Sequence, residues 1–218
     1  MLPITELLGA PFSAQLGAEH PSTLHTVDAV ASLYRDQGRY TEAETLYQRA
    51  LEGYEQRLGP DHPNVLNTVN NLAGLYEEQG NTETLYQRAL AGHEQQLGGD
   101  HPHTLATVNN LGWLYMQWGE YEIAETLCQR ALAGQERQLG AYHPDTLHTI
   151  NSLANIRVQQ GRLEEAETFF NRTLTGRVEA IGVRHPDTIA SMDDLARLYE
   201  KQGRFEAVMS ALLQLDSD

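Results

Sequence analysis

One segment pattern recurs five times along this 218-residue chain, and it leaves few folds open. LGAEHPSTLHTVDAVASLYRDQGRYTEAETLYQRAL begins at Leu16, and related stretches begin at Leu58, Leu97, Leu139 and Ile181. The successive offsets are 42, 39, 42 and 42 residues. The five units (16–57, 58–96, 97–138, 139–180 and 181–218) therefore cover everything except an N-terminal extension, 1–15. A period of this size marks a stack of supersecondary units, each too small to bury its own apolar faces.

Each unit reads as two helices. In the second, Leu66, Val69, Leu72, Ala73 and Tyr76 recur at helical spacing and make one apolar face. The second helix of the first unit carries its own stripe, Ala43, Leu46, Tyr47, Ala50 and Leu51. Gly38, Gly119, Gly161 and Gly203 close the first helices, and Gly17, Gly59, Gly98, Gly140 and Gly182 fall after the second ones, where a left-handed residue is favoured. A His-Pro pair follows each of the latter. Proline suits a helix start because it has no amide hydrogen to leave unpaired. Ser22, Asn64, Asp145 and Asp187 come next and are good N-caps, so the helix opens at the proline or at this residue; position 103 breaks the pattern with a histidine. Small residues at 43, 124 and 166, and at 50, 89 and 131, let antiparallel helices approach closely, with Tyr47, Tyr86 and Phe170 filling the space beside them. The expected fold is an all-α solenoid of five helical hairpins, a single array over 16–218.

Composition excludes several classes. With 30 acidic against 15 basic residues the net charge is −15, which disfavours nucleic acid and anionic membrane as partners. Lys201 is the only lysine, and Cys128, alone, cannot make a disulfide scaffold or a cysteine-based zinc site. No signal peptide or membrane span is expected, and a reducing compartment, most simply the cytoplasm, is the default.

The L-G-x-x-H-P-x-T-L opening, the N-N-L-A-x-L-Y-x-x-Q-G-R-Y core and the E-A-E-T-L-Y-Q-R-A-L second helix together resemble 42-residue tetratricopeptide repeats of the kinesin light chain type. The resemblance implies a right-handed superhelix whose concave face is lined by the first helices and binds peptides or proteins. Two departures stand out. Repeat two lacks three residues: Gly38 to Leu46 spans eight positions but Gly80 to Leu85 only five. A shortened second helix and a local change of curvature are expected, with either a pocket opened between repeats two and three or the loss absorbed in the turn. At the C-terminus, Val208, Met209, Leu212, Leu213 and Leu215 end the array without a polar cap, which makes self-association through this helix plausible.

Subtracting the packed positions from the first helices leaves a stripe at spacings of three and four residues, and the resemblance places it on the concave face. The candidate ligand-binding groove comprises Asn70, Asn109, Trp113, Met116, His148, Asn151, Asn155, Val158 and Arg197. Large apolar residues on an otherwise polar face are the informative kind of exposure, and a tryptophan among amides can hold an extended backbone or a flat molecule. Cationic grip on a terminal carboxylate is not expected, because Arg35, Arg197 and Lys201 are widely separated. A neutral or basic peptide or protein suits the charge better.

Chemistry has few footholds. His20, His62, His101, His143 and His185 recur with the repeat and read as structural; His101 and His103 form an H-x-H pair without a third ligand, so no metal is expected. Cys128 occupies the slot of Tyr47 and reads as a packing thiol. No cofactor motif appears. The leading reading is a binding module, a scaffold or adaptor. The alternative is a small cofactor-independent cyclase or isomerase that holds a hydrophobic or aromatic molecule beside Trp113 and Met116, with His148 as the acid or base.

Overall fold

The computed structural model describes residues 17–76 and 82–204, and every regular element among them is an α-helix. In chain order these are α1 (Pro21–Asp36), α2 (Tyr40–Leu58), α3 (Pro63–Leu75), α4 (Thr82–Leu97), α5 (Pro102–Gln117), α6 (Tyr121–Gln138), α7 (Pro144–Gln159), α8 (Leu163–Ile181) and α9 (Pro186–Lys201). First and second helices of a repeat pack as a hairpin, giving the expected α-α solenoid units. The chain divides into two compact units, residues 1–107 and 108–218, with the division falling inside α5. The N-terminal extension and the apolar C-terminal positions, with the self-association expected of them, lie outside the described residues.

In the first unit, Leu24, Val30 and Tyr34 of α1 pack with Ala43, Tyr47 and Ala50 of α2 and with Val65 and Val69 of α3 in one apolar cluster. In the second unit, Met116, Ala124, Cys128, Leu153 and Ile156 form one cluster, and Ala154, Ala166, Phe170, Leu195 and Leu198 another. The alanines at 43, 50, 89, 124, 131 and 166 are all fully buried, as their packing role requires.

The His-Pro motif is a helix-starting device, and its N-cap falls two residues earlier than the serine, asparagine or aspartate expected to cap. Where the cap is described, the N-cap is neither proline nor the residue after it but the histidine itself. Nδ1 of His20, His62, His143 and His185 accepts from the backbone N–H two residues on, at 3.2 Å in each case, with proline at the first helical position. His101 does the same for His103. The extended backbone of these histidines, φ near −69° and ψ near 140°, is what an N-cap needs and also what a following proline imposes. The threonine of the H-P-x-T motif adds a second tie. Thr23, Thr104, Thr146 and Thr188 donate to the carbonyls of Gly17, Gly98, Gly140 and Gly182 at 2.8–3.0 Å. Repeat two carries Val65 instead.

Gly59 and Gly182 combine φ of 86° with ψ of 160° and 162°. They are thus not left-handed helical, as the sequence suggested, but in an extended region open essentially to glycine alone. As described, α4 runs 16 residues against 18 or 19 for α2, α6 and α8; residues 77–81, where the three-residue deletion of repeat two falls, lie outside the described residues, and with them the expected shortening and change of curvature.

Candidate functional site

The stripe residues are set by the register of α3, α5, α7 and α9, and they differ sharply in what they offer a ligand. Asn109 is only 2% exposed, and its carboxamide oxygen accepts from Cys128 Sγ at 3.6 Å. Met116 is buried in the cluster with Leu153 and Ile156. Neither side chain presents surface to a partner, because Asn109 is turned toward Cys128 of its own second helix and Met116 is packed between that helix and α7 of the next repeat. Trp113 packs its inner edge on that same cluster and stays partly exposed. Val158 does likewise on the neighbouring cluster. His148 and Arg197 are exposed, and Asn70, Asn151 and Asn155 half-buried.

Within the second unit the stripe asparagines are partly spent on structure. Asn151 Nδ2 donates to Asp194 Oδ2 at 3.2 Å, and Asn155 Nδ2 donates to the Asn151 carbonyl at 2.9 Å. Asn151 Oδ1 is buried without a hydrogen-bond partner. The first unit shows the same tie with the two residue types exchanged: Asn71 Nδ2 donates to Asp28 Oδ2 at 3.4 Å, and Thr68 donates to Asp28 Oδ1 at 2.9 Å. Asp28 and Asn151 occupy one repeat slot, Asn71 and Asp194 the next. A carboxylate–amide pair thus links first helices of consecutive repeats. Burial raises both carboxyls, Asp28 and Asp194, above the usual range, while these hydrogen bonds pull them back down.

Cys128 and His148 are both shifted toward their neutral forms. Cys128 is fully buried, and burial pushes its thiol up to about 12, so it carries no thiolate near neutrality. His148 stands in a cleft whose walls strip much of its bulk hydration; this, then the charge of Arg177, holds its imidazole below the ordinary range, against the opposite pull of Asp145 and Asp187. No group of three or more His, Cys, Asp or Glu is arranged to hold a metal among the described residues, and no helix among them is long and apolar enough to cross a membrane.

The sequence reading passed over a second variable slot. Each second helix among the described residues carries a buried glycine, Gly53, Gly92, Gly134 or Gly176, followed by Tyr54, His93, Gln135 or Arg177. The glycines admit a leucine of the first helix: a Cβ on Gly92 would lie 2.5 Å from Leu66 Cδ2, and one on Gly176 2.5 Å from Leu147 Cδ2. The next residue reaches the following first helix, as His93 does to Thr107 Oγ1 at 3.1 Å and Arg177 to Ser191 Oγ at 2.7 Å. The recurring L-x-G-x, visible in four copies and preceded by alanine in three and by Thr173 in the fourth, was the available signal.

Stacked helical hairpins with a histidine-capped first helix and a glycine-notched second helix define a helical repeat protein. The family model for the tetratricopeptide repeat matches residues 21–84, 82–127, 114–177 and 149–214, and the chain belongs to that family. Among solved structures it is similar to a Podosopora anserina protein named for a kinesin light chain with nearly identical TPR-like repeats. A singly substituted form of that protein is 26% identical, with 91% of this chain and 95% of that one covered and a TM-score of 0.68. The parent form gives 26%, 91%, 95% and 0.66. BtubC (BKLC) from P. vanneervenii shares the fold at 21% identity, with 97% and 89% covered and a TM-score of 0.73. No curated protein matches.

Proposed function

We propose that this chain is a binding module, a scaffold or adaptor, whose first-helix face in the second unit receives a segment of another polypeptide. The observation that carries the reading is Trp113. It is a partly exposed tryptophan in a slot that the other repeats fill with Ser32, Gly74, Asn155 and Arg197, none of them apolar and large. Aromatic side chains of this kind anchor interfaces at low entropic cost. Asn155 and Arg197, at the same slot in the next two repeats, supply amide and cationic contacts beside it. Membership of the tetratricopeptide repeat family and the likeness to a kinesin light chain protein support a partner-binding role. The net charge of −15 favours a neutral or basic segment.

The test is affinity capture from the source organism's extract with wild type beside a Trp113→Ser/Asn155→Ser/Arg197→Ser variant, serine being what repeat one carries at that slot. A polypeptide retained by wild type and lost by a folded variant supports the reading. Equal retention by both, or a small molecule held and chemically altered instead, contradicts it.

A further inference from the structure

We infer that the turn between α5 and α6 is a docking surface for a polypeptide segment that presents an arginine side chain, its guanidinium stacked on Trp118 and paired with Glu120 and Glu122. This surface sits at the end of the repeat-three hairpin, and it stands or falls apart from the reading built on Trp113.

The other repeats show what such a turn ordinarily holds. Repeats one, four and five open it with Arg39, Arg162 and Arg204, and a glutamine stands two positions earlier at 37, 79, 160 and 202. Arg39 and Arg204 lie over the rings of Tyr34 and Tyr199, with Cζ 3.9 and 4.7 Å from the ring centroids. Each is also neutralised by a carboxylate, Arg39 by Glu42 at 2.8 Å and Arg204 by Glu167 at 2.6 Å. A guanidinium held between an aromatic ring and a carboxylate is thus a recurrent device of this chain.

Repeat three keeps the aromatic and acidic parts of that device but does not supply the cation. Glu120 takes the arginine slot, Trp118 the glutamine slot, and Ile123 the slot of Glu42 and Glu165. Between Gly119 and Ala124 the turn reads Glu-Tyr-Glu-Ile, which is doubly negative, against a neutral Arg-Tyr-Thr-Glu in repeat one. The Glu120 and Glu122 carboxylates are exposed and make no ion pair or hydrogen bond among the described residues. Trp118 and Ile123 are 48% and 45% exposed, large apolar surface where repeats one and four keep polar side chains. The indole is braced, standing at 88° to the Tyr115 ring with centroids 5.7 Å apart.

The partner's chemistry follows from these groups. Tryptophan is the best aromatic platform for a cation, and a planar guanidinium stacks on it while its N–H groups reach carboxylates. Ile123 offers apolar surface to the aliphatic stem of the same arginine. Two unpaired carboxylates repel an acidic segment and attract a basic one.

The test follows the indole N–H resonances of Trp113 and Trp118, the two tryptophans, in isotope-labelled protein, with Trp118→Phe to assign them. The probes are the blocked peptide acetyl-Gly-Arg-Gly-Arg-Gly-amide and its citrulline and lysine counterparts. The arginine peptide shifts the Trp118 signal and binds about fivefold or more tighter than the citrulline peptide, as an exposed aromatic contact and ion pair together allow. It also binds more tightly than the lysine peptide, and its binding weakens as salt is raised. Glu120→Gln/Glu122→Gln weakens it about fivefold or more. Trp118→Gln/Glu120→Arg/Ile123→Glu, which installs the side chains of repeat four and so keeps the fold, loses binding as read from the amides of residues 119–123. Citrulline or lysine peptide binding as tightly as arginine, shifts confined to Trp113, or full affinity in either variant would overturn the assignment.

Discussion

Arg157 is the one Asp, Glu, Lys or Arg buried among the described residues, at 5% exposure, and its partner Glu125 predicts a large asymmetry between two substitutions. Arg157 Nη2 donates to Glu125 Oε1 at 2.6 Å and Nη1 to Glu125 Oε2, with Gln160 Oε1 accepting from Nη1 at 2.8 Å. Glu165 Oε2 lies 3.2 Å from Nε, without the alignment of a hydrogen bond. Glu125→Gln keeps the shape but leaves the buried guanidinium with Glu165, itself about half exposed, as its counter-charge. Removing one partner of a buried pair costs about 3–5 kcal/mol, and Glu165 brings the expectation to about 3 kcal/mol. The ionisation of Glu125 gives an independent figure. The hydrogen bonds from Arg157 hold its carboxyl down at about 2, against 4.5 ordinarily. At about 1.4 kcal/mol per tenfold change in proton affinity, this is roughly 3.5 kcal/mol, the same order. A carboxyl depressed in the folded state stabilises above its unfolded value, so this contribution is complete above about 4.5 and is lost as pH falls toward about 2. The Arg157→Met/Glu125→Leu double variant, which removes both charges together, stays within about 1 kcal/mol of wild type. Urea unfolding followed by Trp113 emission in a Trp118→Phe background reads the same unit, because Trp113 packs on the Leu153–Ile156 cluster. If Glu125→Gln costs less than about 0.5 kcal/mol, or the double variant costs as much as the single, the reasoning is refuted.

Three further outcomes follow from the packing. Gly92→Ala is destabilising despite the better helix propensity of alanine, because its Cβ would meet Leu66 Cδ2 at 2.5 Å and Cγ at 3.2 Å; Gly74→Ala, whose nearest contact is Tyr86 Oη at 3.4 Å, is neutral or stabilising by up to about 1 kcal/mol in thermal denaturation. His143→Ala removes the α7 cap and costs about 1 kcal/mol in the same assay, while His143→Asn, which retains an acceptor, costs a few tenths. Burial, then the neighbouring His103 and His101, lowers the His93 imidazole to about 4. Its neutral form is favoured by folding, so stability present above the ordinary imidazole value of 6.5 falls as pH drops toward 4, and His93→Gln flattens that part of the pH–stability curve.

The architecture was legible because repetition supplies internal controls. Five copies separate recurring packing positions from variable ones, and the alanine and glycine slots are where spacing placed them. The histidine caps were not, since imidazole is a rarer N-cap than the serine or aspartate two residues on, and hydrogen-bond direction is invisible in a string. The stripe was legible as positions but not as surface. Asn109 and Trp113 lie four residues apart on one helix, yet Asn109 is turned into the contact with Cys128 while Trp113 retains an outward edge. Whether a helix position is open depends on the neighbouring repeat's side chain; the Asn151–Asp194 tie, between residues 43 apart, is set by that register alone. The slot after the notched glycine was not legible as a contact because it lies on the second helices, while its partner, as in His93–Thr107 and Arg177–Ser191, lies on the next repeat's first helix.

The proposal that the first-helix face binds a polypeptide is tested most directly by hydrogen–deuterium exchange of the wild-type chain with and without its captured partner. Binding at that face predicts added protection in peptides spanning Trp113 of α5, Asn155 of α7 and Arg197 of α9, with α6 and α8 unchanged. Protection confined to α6 and α8, or no change on any first helix while the partner remains bound, would contradict it.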